Sequence, residues 1–92
     1  MNKPSGSKYS TSSELVKTGP GILKSVHLTP AAAIATVTVY DEVSGTGDII
    51  TKLSAVANGQ TQKFEPEGGV VFGVGCYVAI TGAGAVVTTV YV

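Results

Sequence analysis

Turn-forming residues interrupt the chain about every ten residues from Leu15 onward. The clearest interruptions are Gly-Pro-Gly at 19–21, Asn-Gly at 58–59 and Gly-Ala-Gly at 82–84. The runs between them are rich in β-branched residues, and none of them predicts more than one turn of helix. Several connections are too short for the crossover helices of a parallel sheet. The spacing therefore predicts an all-β domain of seven or eight short antiparallel strands, arranged as a sandwich or a small barrel.

Alternation within the runs predicts which side chains are buried. In ATVTVY at 35–40 every second residue is apolar, which is typical of a strand with one face in the core. In ILKSVHLT at 22–29 the same reasoning places Ile22 and Val26 on the core face and Leu23 on the opposite face. These two runs are the best-defined strands of the sequence.

The segment 70–92 carries no charge and is long enough to span a membrane as a helix. Its glycines, threonines and β-branched residues favour strands, and no lysine cluster flanks it. We therefore expect two strands joined at the Gly-Ala-Gly turn, and no membrane association.

The low charge of the chain indicates the kind of partner it meets. Only 13% of its 92 residues are charged, six lysines balance six acids, and arginine is absent. Ordinary soluble domains have about 25% charged residues, and nucleic-acid binding requires a basic surface. We therefore expect no nucleic-acid partner and a surface that meets other protein.

Residues 1–14 are polar and rich in serine. Such a segment buries too little apolar surface to fold alone. We expect a flexible N-terminal arm, with Tyr9 as an aromatic anchor for a neighbouring subunit, followed by a single domain over 15–92. Removing the arm should leave the fold intact.

The loop 41–48 holds three acids around two glycines. A calcium loop of the EF-hand type needs ligands at alternating positions, where this chain has Val43 and Thr46. We therefore expect Asp41, Glu42 and Asp48 to be solvent-exposed turn acids, and we predict no metal site.

The residues that could support catalysis are few. His27 is the only histidine and has no acid close to it in sequence, so an enzyme would need His27 beside an acid in a pocket. Cys76 begins an apolar strand and is expected to be a buried, unreactive thiol. The glycines at 68–75 lack the Lys-Ser/Thr of a phosphate loop. We predict no catalytic residue, no cofactor and no small-molecule substrate.

The order of several short motifs resembles a group of small virion proteins encoded by tailed bacteriophages. The matching pieces are the Gly-Ile-Leu strand at 21–23, ATVTVYD at 35–41, the glycine loop and strand at 45–53, and the glycine-rich apolar passage at 75–91. Together they span about four fifths of the chain and exclude the arm. Each piece is ordinary strand and turn chemistry, so the likeness rests on their order.

The resemblance implies a β-sandwich or jelly roll that acts in assembly. It implies a capsid decoration (cement) protein or a small head or tail appendage. For the decoration protein we expect a homodimer or homotrimer, made in the host bacterial cytoplasm, that binds the major capsid protein on the virion surface. The expected interface residues are Tyr9, Leu15, Val16, Tyr77 and Tyr91. An alternative is a carbohydrate- or receptor-binding module of a head or tail fibre, which would group Tyr40, Tyr77 or Tyr91 in a shallow groove.

Overall fold

The computed structural model describes residues 6–92 and contains only strands, turns and loops over that range. Its strands in chain order are β1 (Gly6–Ser10), β2 (Glu14–Thr18), β3 (Gly21–Thr29), β4 (Ala35–Tyr40), β5 (Ile49–Ala55), β6 (Gln62–Phe64), β7 (Val70–Phe72), β8 (Gly75–Thr81) and β9 (Val86–Tyr91). The predicted all-β class is confirmed. The described residues form nine strands, so the expected count of seven or eight is not confirmed, and β1 is the strand that the sequence did not predict.

The strands form two antiparallel sheets. The first sheet has the order β1-β9-β3-β6, with β7 also paired to β3, and the second has the order β2-β8-β4-β5. β6 pairs with residues 26–28 of β3, and β7 pairs with residues 21–23. The two short strands therefore lie end to end along one edge of β3, separated by the turn at 65–69.

One hydrophobic core fills the space between the sheets, as in a β-sandwich. The alternation in ATVTVY is confirmed, because Ala35, Val37 and Val39 of β4 are fully buried. The other core residues come from both sheets and the connections between them: Leu23, Val26, Leu28, Ala55, Phe72, Cys76, Val78, Ala85 and Val87.

A β-bulge corrects the predicted face assignment in β3. The register with β9 shifts between Leu23 and Ser25. An extra residue at a bulge reverses the alternation, so Leu23 is fully buried whereas Ile22 is only half-buried. The assignment of Ile22 to the core and Leu23 to the opposite face is therefore wrong, although Val26 lies in the core as predicted.

The expected arm over 1–14 is not confirmed. Residues 6–10 form β1, which pairs along its whole length with β9, from Gly6 opposite Tyr91 to Ser10 opposite Val87. Glu14 already belongs to β2. Residues 1–5 of the expected arm lie outside the described residues. The sequence does not predict the serine-rich β1, because β1 pairs with β9 through backbone hydrogen bonds, and these do not depend on a pattern of side chains.

Two predicted turns are confirmed by their backbone conformation. Asn58 has a φ of 55°, which asparagine tolerates better than most residues. Gly82 has a φ of 106°, and a Cβ atom there would lie 2.6 Å from the carbonyl oxygen of Ile34. The turn at 82–84 therefore carries the chain from β8 in the second sheet to β9 in the first. No helix within residues 6–92 is long and apolar enough to cross a membrane.

Lysine occupies the edges of both sheets. The edge strands β1 and β6 of the first sheet carry Lys8 and Lys63, and the edge strands β2 and β5 of the second sheet carry Lys17 and Lys52. β2 and the β4–β5 pair also contain register shifts. Lysines and bulges at an edge oppose the addition of a further strand.

Candidate interaction surface

A row of apolar and aromatic side chains crosses the outer face of the second sheet. Leu15 of β2 lies opposite Tyr77 of β8. Tyr77 in turn lies opposite Tyr40 of β4, and Tyr40 lies opposite Ile49 of β5. Opposed residues share one side of a sheet, and the residues that precede both tyrosines are fully buried. These four residues, called the apolar row below, therefore point away from the core.

The apolar row is accessible along its length. Ile49 is 58% exposed at one end and Leu15 is 37% exposed at the other, while the two tyrosines are half-buried. The other outward positions of β8, β4 and β5 are small and polar, with one charged residue at the β5 edge. They are Ala79, Thr38, Lys52, Thr81, Thr36 and Ser54. A sheet face with few charges and an apolar row has the composition of a protein contact surface.

The structure brings together only some of the predicted interface residues. Leu15 and Tyr77 are neighbours in the apolar row. Val16 instead packs against the core beside the β2 bulge. Tyr9 is 66% exposed on the outer face of the first sheet. Tyr91 lies on the core side of β9, with its ring over Gly6.

Tyr40 and Ile49 are the members of the apolar row that the expected interface omitted. The alternation in ATVTVY already places Tyr40 on the outer side of β4. Ile49 carries no such signal, because the register of β4 with β5 shifts between Val39 and Tyr40. Strand alternation could thus have found Tyr40, whereas Ile49 required the three-dimensional pairing.

Asp41 is not the free turn acid that the sequence indicated. Its carboxylate accepts hydrogen bonds from three successive backbone N–H groups: Gly73 at 3.1 Å, Val74 at 2.8 Å and Gly75 at 3.3 Å. The N–H of Asp41 also donates to the carbonyl oxygen of Asp48 at 2.8 Å. One carboxylate therefore joins the loop 41–48 to the connection between β7 and β8.

These hydrogen bonds set the ionisation of Asp41 and affect its neighbour Cys76. Donation from Val74 and Gly73 favours the charged carboxylate and lowers the pKa of Asp41 below its ordinary value of 3.8. Burial, with a smaller contribution from the Asp41 charge, raises the pKa of Cys76 to about 11. The thiol is free, fully buried and protonated at neutral pH.

The loop 41–48 runs beside the apolar row. A Cβ atom at Gly45 would lie 3.4 Å from the Tyr77 ring, and one at Gly75 would lie 3.0 Å from the carbonyl oxygen of Glu42. Because Asp41 holds this loop to residues 73–75, it also fixes the wall on one side of Tyr77.

His27 has an acidic neighbour that the sequence did not reveal. Its Nε2 lies 3.0 Å from Oε2 of Glu65, which follows β6. Both side chains are exposed on the outer face of the first sheet, where His27 pairs with Lys63. The arrangement is that of a surface pair, for which general acid–base chemistry would still need a site that positions a substrate.

Polar contacts hold the corner between β1 and β2. The hydroxyl of Ser10 donates to Glu14 at 2.5 Å, and Lys8 lies 3.5 Å from the same carboxylate. Ser13 accepts a hydrogen bond at 2.8 Å from the backbone N–H of Ile80. These contacts attach the first strand to both sheets.

Within residues 6–92, no group of three or more His, Cys, Asp or Glu side chains is arranged to hold a metal ion. Comparisons with protein-family models, with curated proteins and with solved structures found no match.

Proposed function

We propose that this chain is a structural virion protein of a tailed bacteriophage, a capsid decoration protein that binds and stabilises the major capsid protein lattice. The observation that carries the proposal is the apolar row on a sheet face where, among the paired positions of β8, β4 and β5, Lys52 is the one charged residue. A face of this kind is stabilised by covering it with protein. The order of motifs from 21 to 91 supports the same assignment.

The strand pairings favour a jelly roll as the specific type of sandwich. β1 pairs with β9, β2 with β8, β3 with β6 and β7, and β4 with β5. These are the pairs of one long antiparallel hairpin, and the further pairs β9–β3 and β8–β4 arise when that hairpin is rolled up. With β6 and β7 counted as one interrupted strand, eight strands result. Jelly rolls are common in viral capsid and lectin domains.

The proposed mechanism is mechanical rather than chemical. Each copy would bind neighbouring capsid subunits weakly, and a lattice of many copies would hold them together through multivalency. The protein would act at the outer capsid surface as a homodimer or homotrimer, after synthesis in the host cytoplasm. On this proposal it has no enzymatic activity and uses no cofactor, metal, nucleic acid or small-molecule substrate.

The test is to purify phage particles by density-gradient centrifugation and quantify this chain by mass spectrometry against the major capsid protein. We expect a fixed ratio of at least about one copy for each few capsid subunits, as multivalent stabilisation requires. Removal of the chain should lower the temperature at which particles release DNA. Its absence from purified particles would exclude the proposal.

A second candidate is a glycan-binding module, favoured by the adjacent Tyr40 and Tyr77 rings. Aromatic faces can stack on sugars, and the nearby Thr36 and Thr38 hydroxyls could accept hydrogen bonds. Tyr91 lies on the core side of the other sheet and does not complete a three-tyrosine groove. Titration of the labelled chain with bacterial surface glycans, followed by NMR of the tyrosine rings, distinguishes this candidate. Saturable shifts at Tyr40 and Tyr77 that Tyr77→Ala abolishes would favour it over decoration.

A further inference from the structure

We propose that the outer face of the second sheet binds the same face of a second copy of this chain, in a reversible two-fold dimer. The inference rests on the proposed function, in which the chain acts as a homodimer or homotrimer, and it assigns the apolar row to the contact between two copies of the chain. Across the four strands the apolar row reads aliphatic, aromatic, aromatic, aliphatic, from Leu15 through Tyr77 and Tyr40 to Ile49. This order is the same when read from either end.

The palindromic order makes the row complementary to itself. In a two-fold contact, one surface patch meets an identical patch in the opposite sense. With the axis parallel to the strands, Leu15 lies over Ile49 of the partner subunit, and Tyr77 lies over Tyr40 of the partner subunit. Rotation about this axis does not change the position of a residue along the strand direction. The rows of the two copies therefore lie over each other. Aliphatic side chains then meet aliphatic ones, and aromatic rings meet aromatic rings.

The charge of Lys52 is compatible with this arrangement. Lys52 lies on the β5 edge, opposite Thr38, which in turn lies opposite Ala79. In the two-fold dimer Lys52 lies over the β2 edge of the partner, near Ser13 of the partner subunit. It is therefore far from Lys52 of the partner subunit.

The sheet edges direct association to this face. Each sheet edge carries lysine, and bulges interrupt β2 and the β4–β5 pair. Joining two copies by a continuous sheet would bring such charges together and misalign the hydrogen bonds. The outer face of the first sheet carries Lys63 and the His27–Glu65 pair, and burying these ionisable side chains in a contact would cost their hydration. The outer face of the second sheet is the one that two identical copies can share.

The size of the face sets the strength of the contact. Four strands about 4.8 Å apart and seven residues of about 3.3 Å each give a face of about 19 by 23 Å. Stable interfaces bury about 800 Å² from each partner, which exceeds this projected area of about 440 Å². We therefore expect a dimer that dissociates on dilution in solution and is favoured where copies are concentrated on a lattice.

The experiment measures association of the purified chain by sedimentation equilibrium from about 1 µM to 1 mM, a range that covers weak interfaces. Wild type should change from monomer to dimer. Ile49→Lys should raise the dissociation constant at least about tenfold, because an unpaired ammonium is then buried in the contact. Val56→Lys is the matched control: Val56 is 70% exposed beyond the end of β5, away from the row, and its variant should associate like wild type. Far-ultraviolet circular dichroism confirms that both variants are folded.

Cysteine crosslinking tests the orientation. Leu15→Cys and Ile49→Cys variants, mixed and oxidised, should form a disulfide between the two variants, and each alone should form far less. The buried Cys76 stays out of the reaction. A wild type that is monomeric at 1 mM, or equal weakening by both lysine variants, would overturn the inference. A chain that is abundant in particles but monomeric would contradict this inference and leave capsid decoration standing, whereas a dimer absent from particles would contradict capsid decoration and leave this inference standing.

Discussion

At the scale of single residues, Asp41 is the clearest case of a side chain whose role depends on a distant loop. It is separated by 32 residues from Gly73, whose N–H it accepts. Three aligned N–H groups form a small anion-binding site, and here the anion is part of the chain. Asp41 thus adds a charged link between two loops that adjoin the paired strands β4 and β8.

We predict that Asp41→Asn lowers the free energy of unfolding by about 1 to 2 kcal/mol at pH 7, because charge-assisted hydrogen bonds are weakened and solvent partly screens them. The pKa of Asp41 is lower in the folded state than in the unfolded state. Its contribution is therefore complete above the unfolded value of about 3.9 and is lost as the pH falls through the folded value. Urea unfolding at several pH values should show the difference from wild type narrowing below about pH 4.

Asp48→Asn is the control for that experiment. Asp48 lies in the same loop, and within the described residues its side chain makes no comparable set of hydrogen bonds. This variant should change stability by less than about 0.5 kcal/mol. Equal destabilisation by both variants would show that loop charge, rather than the link to residues 73–75, is responsible.

Cys76 provides a chemical probe of unfolding. Because its pKa is raised to about 11 and its side chain is fully buried, the native thiol should react with iodoacetamide at pH 8 far more slowly than a free cysteine. Reaction should accelerate with urea in parallel with loss of the circular dichroism signal. Rapid labelling of the native protein would show that β8 opens locally without global unfolding.

At the scale of elements, β1 has the largest effect on how the N-terminal region is understood. It covers the edge of β9, and through Ser10 and Lys8 it contacts the first residue of β2. Since β9 is otherwise bounded only by β3, removing β1 would leave β9 as an open edge.

We predict that deletion of residues 1–10 lowers the melting temperature by about 5 to 15 °C, from the loss of strand hydrogen bonds worth about 1 to 2 kcal/mol net. The deleted chain should also aggregate more readily, because the β9 edge is exposed. Differential scanning calorimetry and light scattering measure the two effects. Tyr9→Ser, which keeps the β1 backbone and changes only an exposed ring, should melt within about 2 °C of wild type. An unchanged melting temperature after deletion would instead support a dispensable arm.

At the scale of the whole molecule, the sequence predicts local features and misses those that depend on pairing. The strand runs, the turn at Asn58 and the inward valines of β4 are visible because turn preference and alternation are local properties. Which residues of β3 face the core cannot be predicted from the sequence, because the bulge depends on how β3 pairs with the neighbouring strand β9.

The candidate site divides in the same way. The outward position of Tyr40 can be predicted, but its place beside Tyr77 cannot, since their strands are separated by three other strands in sequence. The Asp41 link and the His27–Glu65 pair are also products of register. The register of a sheet brings together residues that are far apart in the chain, and a single sequence does not show which of them will be neighbours.

The pairing of Gly6 with Tyr91 has a consequence for how the protein carries load. In an antiparallel pair, these two residues lie at the same end of their strands, so tension applied between them would open β1 from β9 one hydrogen bond at a time. Such unzipping needs less force than shearing all the bonds together. On the proposed function, the chain should therefore be loaded through its broad faces, where force is shared among many contacts, and not through β1 and β9.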